Sequence, residues 1–266
     1  MSLTRRRLDV EILRRGLAPS RERAQALILA GRVRVDQVER PKPGLQVSEE
    51  ARIEVEGEET WVSRGALKLV GALDAFRVSC EGRVAADIGS STGGFTEVLL
   101  ARGAARVYAF DSGVGQLHER LRQDPRVILA ERTNARHLSA DSLPERPTLA
   151  TMDVSFISIL KILPALVRIL APGADLVSLV KPQFEAGRAE VGSGGIVRDP
   201  SVHARVMLGV CASAESLGFR VVAVCRSAID GSGGNREFFL HAVSPLAPGG
   251  EVTGAHPFCH DGGLPV

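Results

Sequence analysis

Seven short apolar runs, at residues 83–88, 106–110, 127–130, 148–153, 175–181, 220–225 and 237–243, alternate with helical patterns, notably 94–102, 157–170 and 201–217. Strand-like runs alternating with helices predict a parallel sheet covered by helices on both faces. Parallel neighbours need a long crossover, usually a helix, whereas antiparallel neighbours need only a turn. The last two runs are joined by the short Gly-rich segment Asp230-Gly-Ser-Gly-Gly-Asn235, so they are expected to form an antiparallel hairpin at the sheet's edge. The expectation is an α/β fold, Rossmann-like, with seven mostly parallel strands and an antiparallel last strand.

Ahead of this alternation lies a smaller pattern. Residues 5–31 read as two short helices, the first with Leu8, Ile12 and Leu13 on one face. The second opens at Ser20, an N-cap with Arg23 at N3, carries Ala24, Leu27 and Ile28, and ends at Gly31. Arg32-Val-Arg-Val-Asp36 and residues 51–56 alternate in strand fashion on either side of a Pro41/Pro43/Gly44 turn. Ser63 is expected to cap a further helix whose apolar stripe is Leu69, Leu73 and Phe76. The expected division is a small α+β unit over 1–58, a linker over 59–63, the α/β domain over 64–244 and a Gly- and Pro-rich tail without fixed structure over 245–266. Residues 182–200 read as a long polar loop.

Charge is unevenly placed. Residues 1–46 hold eleven Arg/Lys against five Asp/Glu, a local charge of +6 in a chain whose formal net charge is +2. A basic small unit on a mildly acidic body points to a polyanion partner. Its candidate phosphate contacts are Arg5, Arg6, Arg14, Arg15, Arg21, Arg23, Arg32 and Arg34.

Other classes fall away. The four cysteines (Cys80, Cys211, Cys225, Cys259) form no CxxC pair or disulfide-like spacing, which fits a reducing cytosol. The longest apolar stretch, 157–170, is broken by Lys161, Pro164 and Arg168, whereas a transmembrane helix needs about 20 apolar residues. His256, Cys259 and His260 sit together in the tail without the further ligands and scaffold of a metal site, so no metal is expected.

The strongest chemical signal is Val84-Ala-Ala-Asp87-Ile-Gly89-Ser-Ser-Thr-Gly93-Gly94-Phe95, a Gly-rich loop between a strand and a helix. Ser91 stands where a dinucleotide loop carries the glycine that admits a pyrophosphate. A ligand with a carboxylate and no pyrophosphate still suits a helix N-terminus, and S-adenosylmethionine is such a ligand. Asp111, 22 residues after Gly89, ends the next strand where an acid can accept from ribose hydroxyls, and Asn134 ends the third where it can read an adenine edge. Each alone is equally a turn residue or a cap.

Only four of 33 basic residues are lysine: Lys42, Lys68, Lys161 and Lys181. Arginine stays protonated in proteins, whereas a lysine in the right surroundings can act as a base. Lys181 ends the fifth run, Asp153 ends the fourth, and Glu237 begins the seventh, so all three reach the edge where strand ends converge. Lys68 is one residue off its helix's apolar stripe, a position open to the crevice or to a snorkelling surface lysine.

Lys68, Asp153, Lys181 and Glu237 resemble the K-D-K-E tetrad of FtsJ-type ribose 2′-O-methyltransferases. With Ser63-Arg-Gly-Ala-Leu-Lys68, Asp87 to Phe95, Glu131-Arg-Thr-Asn134, Asp153-Val-Ser-Phe-Ile-Ser158, Val180-Lys-Pro-Gln-Phe-Glu185, Gly195-Ile-Val-Arg-Asp-Pro200 and Gly234-Asn-Arg-Glu237, the chain resembles the hemolysin-A (TlyA-type) rRNA methyltransferase family. The N-terminal unit is similar to an S4 RNA-binding domain. The resemblance implies a class I methyltransferase fold, S-adenosylmethionine as cofactor, ribosomal RNA or ribosomal subunits as partner and methylation of a cytidine ribose. It implies that Lys68, Asp153, Lys181 and Glu237 are catalytic. Cofactor contacts would come from Asp87, Gly89, Ser90, Thr92, Gly93, Gly94, Phe95, Asp111, Asn134 and Asp153. Lys181 would be the general base, Lys68 would depress its pKa or orient the hydroxyl, and the two carboxylates would position the lysines. One departure is that Glu59-Thr60 precede Trp61-Val62, where some relatives carry an arginine. Two further readings remain open: a membrane-active hemolysin, and a catalytically silent RNA-binding or ribosome-assembly factor.

Overall fold

The computed structural model describes residues 5–18, 20–36, 38, 41–55 and 61–246. The chain divides into two compact units, residues 1–60 and 61–266. Glu59 and Thr60, and the tail from residue 247 with His256, Cys259 and His260, lie outside the described residues.

The first unit runs β1 (Arg5–Arg7), α1 (Leu8–Arg14), α2 (Arg21–Leu29), β2 (Val33–Val35), β3 (Gln46–Ser48) and β4 (Ile53–Val55). β1 pairs antiparallel with β3, and β2 with β4. Ser20 caps α2, its side chain accepting from the Arg23 amide at 3.2 Å. Leu8, Ile12, Ala24, Leu27, Ile28, Val33, Val35 and Val47 close a small core. Two expectations fail here. Arg5–Arg7 is a strand rather than the start of a helix, and Leu13 is 41% exposed while Asp9 and Glu11 are buried in its place. The carboxylates go inside because arginines meet them there, a pairing invisible to a hydrophobic pattern.

The second unit runs α3 (Gly65–Phe76), β5 (Val84–Ile88), α4 (Gly94–Ala101), β6 (Arg106–Phe110), α5 (Glu119–Arg122), β7 (Val127–Ala130), β8 (Leu149–Met152), α6 (Leu163–Ile169), β9 (Asp175–Val180), α7 (Pro182–Glu185), α8 (Pro200–Ser216), β10 (Arg220–Arg226) and β11 (Phe238–Val243). The seven strands lie in the order β10-β11-β9-β8-β5-β6-β7. β5 pairs parallel with β6 and β8, and β8 with β9. β11 runs antiparallel to both its neighbours, so the hairpin forms as expected, with β10 outermost.

Successive side chains of a buried strand enter opposite layers. In β9, Leu176 and Val180 pack into the core that holds Leu163, Leu166 and Val206, while Val177 and Leu179 pack with Leu69, Leu73, Val98 and Leu99. The sheet is therefore covered by α6 and α8 on one face and by α3 and α4 on the other. Ser63 does not cap α3: Arg64 occupies the N-cap, and only the Ser63 carbonyl takes part, accepting from the Ala66 amide at 3.2 Å. The polar segment 182–200 holds α7 and a 3-10 turn at Arg188–Glu190, and residues 186–187 and 191–199 are irregular.

Candidate active site

The chain order of the sheet reverses between β5 and β8, the switch point where α/β folds open a crevice at their strand ends. A cleft of about 320 Å³ lies there. It is lined by Ser63, Arg64, Gly65 and Lys68 from the start of α3, Gly89 to Thr92, Gly94 and Phe95 from the loop and start of α4, and Asp153, Ser155, Lys181 and Glu237. Gly89 has φ of +83°, and a Cβ there would overlap the carbonyl oxygen of Asp153. The absence of a side chain thus lets the ends of β5 and β8 approach at the cleft floor.

Two lysine–carboxylate pairs face this cleft. Lys68 Nζ donates to Glu237 Oε2 at 2.6 Å, and both side chains are buried. Lys181 Nζ lies 2.5 Å from Asp153 Oδ1 and donates to Ser155 Oγ at 2.9 Å. Lys68 belongs on the buried face of α3 because its partner arrives on β11, whose antiparallel course starts at the same sheet edge where β8 and β9 end. Each lysine is matched with its own carboxylate.

Several expected cofactor contacts have other partners. Asp87 is fully buried, its Oδ2 accepting from Thr96 Oγ1 at 2.6 Å and its Oδ1 from Thr151 Oγ1 at 3.1 Å. It braces β5, α4 and β8 under the loop and does not line the cleft. Burial pushes its carboxyl up to about 7, against the opposing hydrogen bonds from the two threonines. Asp111 accepts from the Ser91 and Gly113 amides, both at 2.7 Å, so its carboxylate orders the Gly-rich loop. Asn134 caps a 3-10 turn, its Oδ1 accepting from the Arg136 amide at 3.2 Å. Gly93, Asp111 and Asn134 do not line the cleft.

What the cleft offers suits a cofactor without a pyrophosphate. Ser90 Oγ is buried, lines the cleft and has no hydrogen-bond partner among the described residues. The first turn of α4 opens onto the same space through Gly94 and Phe95, presenting amides and the positive end of the helix dipole to a carboxylate. Among the described residues no group of His, Cys, Asp and Glu could hold a metal ion.

An aromatic shelf at the strand ends went unread in the sequence. Phe156 is 91% exposed and sits at φ of +64°, a conformation unusual for a bulky residue. It packs against Phe184 of α7 with ring centroids 5.3 Å apart. Glu185 holds the two segments together: its Oε2 accepts from Ser158 Oγ at 2.6 Å and its Oε1 from the Ile159 amide at 2.8 Å. Burial raises its carboxyl above the ordinary range. Arg64, also unanticipated, lines the cleft and donates to the Asp230 carbonyl at 3.1 Å. The one available signal was Phe between Ser155 and Ile157 directly after a strand end.

In the first unit the candidate arginines divide. Arg15 spends its guanidinium internally, on Glu11 at 2.7 Å and on the Ala51 and Glu49 carbonyls, both at 2.8 Å. Arg14 chelates Glu11 at 2.9 and 2.7 Å, and Arg6 pairs with Glu49. Arg21 donates to buried Asp9 at 3.0 Å. Arg5, Arg23, Arg32 and Arg34 are exposed on the surface.

Residues 61–243 match the FtsJ-like methyltransferase family, and residues 6–53 match the S4 domain. The chain is 52% identical over 238 residues to a 16S/23S rRNA (cytidine-2′-O)-methyltransferase, TlyA, of Mycobacterium tuberculosis, an alignment covering 89% of each. It is 47% identical over 247 residues to YqxC of Bacillus subtilis, which is named as an rRNA methyltransferase, covering 92% of this chain and 88% of that one. A solved structure from Streptococcus thermophilus that carries a hemolysin name superposes with a TM-score of 0.69 at 42% identity, covering 93% and 92% of the two chains. Among the described residues no helix is long and apolar enough to cross a membrane. Two units, one matching an RNA-binding domain and one whose strand ends assemble a Gly-rich loop with two lysine–carboxylate pairs, agree with these matches, and the chain belongs to the FtsJ-like methyltransferase family.

Proposed function

We propose that this protein methylates a ribose 2′-hydroxyl of ribosomal RNA, on a cytidine, with Lys181 accepting the hydroxyl proton. The observation that carries the reading is the pairing of Lys68 with Glu237 and Lys181 with Asp153 around one cleft beside the Gly-rich loop. The M. tuberculosis relative, named for cytidine-2′-O methylation of 16S and 23S rRNA, supports the substrate class.

S-adenosylmethionine supplies an electrophilic methyl group on a sulfonium. Ser90 Oγ and the first turn of α4 would hold its polar end. A ribose hydroxyl is a poor nucleophile, and its oxygen must lose a proton as it attacks. Lys181 lies at the cleft edge with Asp153 and Ser155 fixing its amine, which sets the direction from which it meets the hydroxyl. Lys68, anchored by Glu237, presents an amine to the same space and orients the oxygen. The exposed Phe156 ring, backed by Phe184, offers a stacking surface for the base whose ribose enters the cleft. A cytosolic location follows from a ribosomal substrate.

Mapping 2′-O-methyl groups on ribosomal RNA from cells with and without the protein tests the function. The expected result is loss of methylation at a cytidine. Identical maps from the two cells would refute it. Liposome leakage by the purified protein, with no change in methylation, would favour the hemolysin reading instead.

A further inference from the structure

We propose that Glu185 is a positioning residue for the RNA substrate: its carboxylate holds the segment carrying Phe156 in the conformation that meets a nucleotide. The role rests on the RNA-directed function above and adds the residue that sets the shape of its stacking surface.

Phe156 sits where the chain left to itself would not put it. Its ring is 91% exposed and its φ is +64°. Neither solvent nor local backbone preference favours that state, and such conformations persist only where the surroundings over-determine them. Here the segment is fixed on both sides of Phe156. On the N-terminal side, Lys181 Nζ meets Asp153 Oδ1 at 2.5 Å and donates to Ser155 Oγ at 2.9 Å. On the C-terminal side, Glu185 accepts from Ser158 Oγ at 2.6 Å and from the Ile159 amide at 2.8 Å. Lys181 is the N-cap of α7 and Glu185 its last residue, so the two anchors stand one turn apart. Phe184, between them, backs the Phe156 ring at a centroid distance of 5.3 Å.

A partly buried carboxylate is a poor device for stability alone, because desolvation offsets much of what its hydrogen bonds contribute. Burial raises the Glu185 carboxyl, and the two groups opposing that rise are the Ser158 hydroxyl and the Ile159 amide. Both donors belong to the stretch that leaves Phe156. Ser158 Oγ in turn accepts from the Leu160 amide at 3.2 Å, which extends the contact into the 3-10 turn at Ile159–Lys161. Ile159 is buried in the core beneath, so the anchor point is firm. Two acceptor oxygens on adjacent residues fix both the position and the direction of the chain after Phe156. Glu185 does not line the cofactor cleft, so its influence on the reaction passes through that segment.

Methyl transfer from labelled S-adenosylmethionine to ribosomal subunits from cells lacking the protein is measured for the unchanged protein, Glu185→Ala, Phe156→Ala and the double variant. E185A is expected to raise the KM for subunits about tenfold, as F156A does, with kcat within about twofold of the unchanged protein. Cofactor affinity by calorimetry should not change. The double variant should show the KM of F156A alone, because Glu185 has nothing left to position once the ring is gone. Should circular dichroism show E185A misfolded, Ser158→Ala removes one donor from the other side of the same contact. S158A is expected to raise KM about threefold when Phe156 is present and to have no effect in the F156A background. An unchanged KM in folded E185A or in S158A, or effects that multiply in the double variant, overturns the role of Glu185. Absence of methyl transfer by the unchanged protein overturns the proposed function as well, whereas transfer that E185A leaves intact overturns the positioning role alone.

Discussion

Lys68 and Glu237 are 169 residues apart in sequence, and their charged atoms meet at 2.6 Å in the interior of the second unit. The pair ties the helix that precedes the sheet to the strand inserted last into it. Removing one partner strands an uncompensated buried charge, which costs about 3–5 kcal/mol. Glu237→Ala should therefore lower unfolding free energy by about 3 kcal/mol in urea titrations, besides abolishing methyl transfer. The double variant K68M/E237L should regain most of that stability while remaining inactive. Recovery of activity by the double variant would show that the pair serves stability alone.

Lys181→Arg tests the base. Arginine keeps the positive charge beside Asp153 but does not give up its proton in proteins. The variant should bind S-adenosylmethionine with unchanged affinity by calorimetry and transfer no labelled methyl group to ribosomal RNA. Retained transfer removes Lys181 from the role.

Phe156→Ala addresses the aromatic shelf. Stacking of a base on an aromatic ring contributes about 1–3 kcal/mol, so the apparent KM for RNA should rise roughly tenfold or more. Cofactor affinity should stay the same, since Phe156 does not line the cleft. An unchanged KM for RNA would mean that the ring contacts no nucleotide.

Asp87 yields a pH-dependent prediction. Its carboxyl is raised from 3.8 to about 7 by burial. The folded chain therefore holds a proton there that the unfolded chain has lost, across roughly pH 4 to 7. The stability from neutral Asp87 is complete below about pH 4 and is lost as pH rises through 7. Asp87→Asn is neutral throughout, so its stability relative to the unchanged protein should rise between pH 5 and pH 8. Urea titrations at the two values measure the difference, and a pH-independent difference would place the Asp87 proton elsewhere.

The alternation of strands and helices from residue 83 was legible because burial on both faces makes a parallel strand uniformly apolar. The hairpin was legible because six residues cannot cross a sheet. Arg5–Arg7 was not legible as a strand, since three arginines carry no apolar alternation and their pairing with Gln46–Ser48 is decided by distant residues. The same reason hid the burial of Asp9 and Glu11. Asn134 stood at a strand end, as expected, but strand-end position does not specify where a side chain points, and there it closes a turn.

By itself the sequence determined the sheet class, the Gly-rich loop and the placing of Lys181, Asp153 and Glu237 at one edge. These depend on local periodicity and on the direction in which each strand runs, both of which are written along the chain. Tertiary structure alone decided which carboxylate serves which lysine, that Asp87 lies beneath the loop rather than in the cleft, and that Phe156 stands exposed beside it. Those outcomes depend on where side chains from distant segments find partners, and a charged group is buried only where such a partner meets it.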